Sequence, residues 1–215
     1  MLAVEPASSS RSELIRAAFV LEWLTLAWVL VEAAVGLWAG WRAHSISLIA
    51  FGADSVIEAL SAGVLIWRLS TELKHGQQFS EEAERRASRL AGALLFALAA
   101  YIIASAAWGL WTREGQAFTP VGLLITAATI PIMYVLARRK LTIAEQIGSR
   151  ALRADAMEAI TCGWLSFVVV TGLVAQWAIG AWWIDPVTSL AIVYLLVKEG
   201  REAWSAEECG CCSCH

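Results

Sequence analysis

The sequence predicts an all-α, polytopic membrane protein with six transmembrane helices, and three observations carry that prediction. Hydrophobic residues make up 59% of the 215-residue chain and charged ones only 16%, with a mean hydropathy of +0.62, far more apolar than a water-soluble domain of this length requires. Six apolar stretches, near 17–40, 45–68, 88–111, 118–137, 152–178 and 182–203, each approach the roughly 20 residues that a spanning helix needs. Basic residues also concentrate on one of the two sides that those spans define.

In chain order, residues 1–16 read as a cytoplasmic N-terminal arm, flexible over Met1 to Ser10 and without the basic start of a cleavable signal. The region 17–203 is the six-helix domain. Its first span carries an acid, Glu32, and its second carries Asp54 and Glu58. The loop from Ser70 to Ala87 holds His75 and four glutamates, and Ser80-Glu81-Glu82 suits a capped helix start. Pro131 falls inside the fourth span and is expected to kink it. The fifth span carries Asp155, Glu158 and Cys162. At the sixth, Asp185-Pro186 fits a helix start with Asp as cap and Pro in the first turn. Residues 204–215 form a short Cys-rich tail.

An even number of spans puts both termini on one side. Arg11, Arg16, Arg68, Lys74, Arg85, Arg86, Arg89, Arg138, Arg139, Lys140, Arg150, Arg153, Lys198 and Arg201 fall on that side, against only Arg42 and Arg113 opposite. By the positive-inside rule both ends are cytoplasmic, in an inner or plasma membrane. Trp38, Trp41, Trp108, Trp111, Trp177, Trp182 and Trp183 cluster at the outer ends, as indoles at headgroup level should. Topology accounts for the basic residues, so the net charge of −3 carries no sign of nucleic-acid binding.

Ionisable groups at bilayer depth cost at least ~2.5 kcal/mol each and are usually retained for a pathway, a relay or a ligand. Asp54 and Glu58 stack on one face of the second span by their i, i+4 spacing, as do Glu158 and Cys162 on the fifth. With Arg68 and Arg150 as rulers at one membrane face, the helical rise of about 1.5 Å per residue sets Glu58 level with Glu158 and Asp54 level with Cys162. Three carboxylates and a thiol would then surround one ion. Glu32 is a possible accessory charge, and Asp155 either an accessory or a cap of the fifth helix.

The plainer interpretation makes these groups glue for the bundle, but membrane helices use mainly amides and hydroxyls for that purpose. Three acids without a cation repel, so the empty site is expected to take up protons and to release them when metal binds. If the site opens alternately to each side, proton-coupled antiport follows. The thiol favours zinc, with cadmium or cobalt as alternatives, over harder ions.

The stretch Ser47 to Glu58 resembles the second helix of the cation diffusion facilitators, where a D-x-x-x-D pair follows a run of small and apolar residues. Leu152 to Cys162 is similar to that family's fifth helix, A-D-x-x-H-x-x-x-D, and Trp183-Ile184-Asp185-Pro186 to the start of its sixth. On this resemblance Asp54 matches the first ligand, Glu58 replaces the second Asp, Glu158 replaces His, and Cys162 replaces the last Asp. The resemblance implies a cation diffusion facilitator-like bundle and a homodimer that exports zinc or a related divalent ion against protons. The cytoplasmic C-terminal domain common in the family has no counterpart in these residues.

Cys209, Cys211, Cys212, Cys214 and His215 lie within seven residues and read as a chelating tail for soft metals, with palmitoylation or plain disorder as alternatives. The sequence therefore leaves three functions open: an antiporter, a membrane-anchored metal sensor or donor acting through its tail, and an organic-cation transporter whose aromatic pocket would come from Trp28 and Trp164. No nucleophile–base pair or phosphate loop points to an enzyme, and no bound cofactor is expected beyond the transported metal and protons.

Overall fold

Apolar runs long enough to cross a bilayer fold as helices, because only a helix or a closed barrel satisfies its own backbone there. The computed structural model describes residues 7–75, 81–113 and 117–205. These form six helices: α1 (Ala7–Ala43), α2 (Ile46–His75), α3 (Glu81–Thr112), α4 (Pro120–Ile147), α5 (Arg150–Ile179) and α6 (Ile184–Ser205). There is no strand among the described residues. Among the described residues, five helices are long and apolar enough to span: Glu13–Ala43, Ile46–Thr71, Gly92–Thr112, Pro120–Ile147 and Leu152–Ile179. The sixth, α6, packs along α3 and α5; Asp185, Lys198, Glu199 and Arg201 make it less apolar than the other five. The exposed surface is studded with large apolar side chains such as Leu60, Leu124, Trp177 and Tyr194, as lipid contact requires.

Several boundaries differ from the sequence expectation. Residues 7–16, assigned to the arm, are the first turns of α1. The fourth helix continues ten residues past the predicted end at 137, through Ile147, and remains helical through Pro131. Thr119 caps its start by accepting from the Gly122 N–H at 3.3 Å, ahead of Pro120. Gly148 ends it in the left-handed conformation, and Ser149 then caps α5. The cap role expected of Asp185 is exercised across the bundle. Its carboxylate accepts from the Ile46 and Ser47 N–H groups at 2.7 and 3.2 Å and from the hydroxyls of Ser45 and Ser47, holding the start of α2 instead of that of α6.

The most extensive helix contact joins α1 to α2, backbone to backbone. A side chain at Gly52 would come within 2.6 Å of the Leu37 nitrogen, and one at Gly40 within 2.8 Å of the Ile49 nitrogen. Small residues permit this approach, as is usual where packing rather than water drives helices together. A large buried cluster built on Phe51, Ile102, Met133, Leu165, Leu173 and Leu196 fills the bundle. A smaller one, with Ile15, Leu65, Leu69, Ala144 and Leu152, closes the end opposite Asp185.

Candidate metal centre

The glycine contact between α1 and α2 fixes the first part of the site. One turn from it, Glu32 on α1 faces Ser55 on α2, whose hydroxyl donates to Glu32 Oε2 at 3.3 Å. From α4, Thr129 donates to Glu32 Oε1 at 2.7 Å, and from α5 the Cys162 thiol approaches Oε2 at 3.9 Å. Glu32 is fully buried, and so lies where four helices meet.

Glu32, Glu58 and Cys162 each bring one ligand atom to within 4.8 Å of the others, and all three are buried. With no pair of these atoms more than 4.8 Å apart, a point among them lies no more than about 2.8 Å from each, so a small inward movement of the side chains reaches zinc–ligand distances. Glu58 Oε2 is buried without a hydrogen-bond partner. A buried carboxylate oxygen with nothing to accept from is costly, and a cation would satisfy it.

Asp54, four residues before Glu58, is buried on the same face of α2. Glu158 is half-buried and accepts from Ser61 at 2.9 Å. Cys162 thus stands level with Glu58 and Glu158 with Ser61, about one turn away from the register expected from the arginine rulers. Arginine side chains are long enough to reach an interface from well inside or outside it, so they measure depth only to about a turn.

Glu32, expected as an accessory, is the third member of the compact group. Asp155 neither caps α5 nor joins that group: it is ion-paired with Lys140 of α4. Lys140, counted above among the cytoplasmic loop residues, is fully buried and also bonds Glu22 of α1 at 3.1 Å. Glu22 is not among the residues expected above, although an acid inside an apolar span is itself a signal. The aromatic pocket for an organic cation is not formed, because Trp164 is 60% exposed on the outer surface of α5 and stacks edge-on against Phe167. The side chains of His75, which ends α2 instead of lying in the expected loop, and of the tail ligands Cys209, Cys211, Cys212, Cys214 and His215 lie outside those described.

Apolar helices of spanning length, with titratable groups gathered inside and apolar side chains outside, define an integral multi-pass membrane protein. Residues 23–206 match the cation efflux transmembrane domain, and the chain belongs to that family. It is also 28% identical over 160 residues to a protein of Synechocystis sp. described as an uncharacterized transporter. That alignment covers 73% of this chain and 52% of the relative, so the chain spans about half the relative's length.

Proposed function

We propose that the chain transports a divalent transition-metal cation across the membrane, exporting it from the cytoplasm in exchange for protons. Zinc is the leading substrate, with cadmium and cobalt next. The observation that carries this reading is the buried meeting of Glu32, Glu58 and Cys162 within 4.8 Å, with an unpartnered oxygen on Glu58. Two carboxylates and a thiol from three helices form a borderline-soft donor set suited to zinc. Asp54 and Glu158 flank it as a fourth ligand and as an acceptor on the approach.

The ligands must shed protons to bind metal, so metal arrival and proton departure are linked. Each ligand sits on a different helix or helix face, so a tilt of α1 against α2 or α5 separates the donors and lowers affinity. Opening the bundle to one side thereby couples release to exposure. Family membership supports transport, and the basic residues of the 139–153 region support a cytoplasmic placement of that end and of both termini. The resemblance further implies a homodimer, and the density of cysteines in the tail at 204–215 suits the capture of a soft metal.

Reconstituted liposomes test the reading. Zinc-dependent proton movement is expected from the native chain and should disappear in Glu158→Ala and Glu58→Gln. Metal binding without flux in the native chain would instead favour a sensor or donor.

A further inference from the structure

Beyond the central group, the described residues hold a second buried charged cluster. Lys140 Nζ bonds Glu22 Oε2 at 3.1 Å and pairs closely with Asp155 Oδ2, joining α4 to α1 and α5. Glu22 and Lys140 are 0% exposed and Asp155 is 6% exposed. By their positions on three helices, they lie between the large apolar cluster and the small one that closes this end of the bundle. Two acids against one ammonium leave a formal negative charge over, and Glu22 Oε1 is buried with no hydrogen-bond partner. A purely structural ion pair has no need of the second acid, and removing two charges from water is already costly. The surplus must be met by a proton or by more cationic charge.

The geometry points to a second divalent-cation site, formed by Glu22 and Asp155, in which the Lys140 ammonium stands in for the metal ion. A divalent ion there balances both carboxylates, which the ammonium does not. Lysine is suited to such an exchange, being a compact charge on a flexible four-carbon stem that can swing aside when the ion arrives. Asp155 lies one turn of α5 from Glu158, which faces Ser61 next to the central group, so an ion leaving the pair finds its next carboxylate on the same helix. The purpose as a way-station rests on the transport reading, whereas the binding site itself does not.

Manganese counting by electron paramagnetic resonance tests it on the purified full-length chain, because thiols in the tail are poor ligands for that ion and carboxylates good ones. At Mn²⁺ concentrations too low to displace the ammonium, Lys140→Met is expected to bind one more Mn²⁺ per chain than the native protein. The additional ion should persist when Glu58→Gln is added and vanish when Glu22→Gln and Asp155→Asn are added. A folded Lys140→Met with an unchanged count overturns the site. If Glu58→Gln fails to lower zinc binding in the native background, the central group falls while the Glu22–Asp155 Mn²⁺ count still stands or fails by itself. Should Lys140→Met not fold, Asp155→Asn in liposomes decides: it should raise the Mn²⁺ KM about tenfold at the face bearing residues 139–152 and leave the opposite face unchanged. Equal shifts at both faces would overturn the proposal.

Discussion

Glu32→Gln perturbs the centre with little change of shape. The carboxylate accepts from Thr129 at 2.7 Å and from Ser55 at 3.3 Å, and the amide can keep one of these contacts through its own oxygen. What is lost is one of the two carboxylate charges that would face a bound ion. An interaction with a charged group is worth about 1.5–3 kcal/mol more when its partner is retained than when it is lost. At 1.4 kcal/mol per decade, the expected loss of zinc affinity is roughly tenfold to a hundredfold. Competition titration against a chelating dye on purified protein measures it. Thr129→Val is the control, since it removes one donor to Glu32 but keeps the charge, and it should cost markedly less. Unchanged affinity in Glu32→Gln, beside a clear loss in Glu58→Gln, would place Glu32 outside the ligand set and refute the three-helix centre.

Three further outcomes are expected. Cys162→Asp should retain transport while shifting preference from cadmium toward manganese, and unchanged competition between these ions would remove sulfur from the ligands. Asp185→Ala should lower stability by about 3 kcal/mol, because two N–H groups and two hydroxyls at the start of α2 lose their acceptor; a detergent-phase melt reads this, and zinc affinity should stay near native. Deleting Cys209 to His215 should leave the maximal flux near native and change the apparent affinity, and complete loss of flux would contradict a merely capturing tail.

The helices were legible because a span announces itself by length and apolarity, with no need of tertiary information. The i, i+4 pairs were legible for the same reason: Asp54 with Glu58, and Glu158 with Cys162, share a face by local geometry alone. Register between helices is a different quantity. It depends on where the backbones of Gly36, Gly40 and Gly52 let α1 and α2 touch, and no single-helix pattern encodes that contact. Glu32 was accordingly visible as an acid in a span but not as a member of the compact group. Lys140 was hidden by its neighbours: Arg138 and Arg139 beside it are exposed, the apolar run ends at 137, and a basic triplet reads as a loop. Only the continuation of α4 turns the third of these residues inward, toward Glu22 and Asp155.

The most direct test is anomalous diffraction at the zinc absorption edge from the metal-loaded protein. A peak about 2.0–2.3 Å from Glu32, Glu58 and Cys162, with Asp54 or Glu158 near enough to complete four ligands, is the predicted result. A peak elsewhere in the bundle, or zinc bound only through the tail cysteines with those three side chains apart, would contradict it.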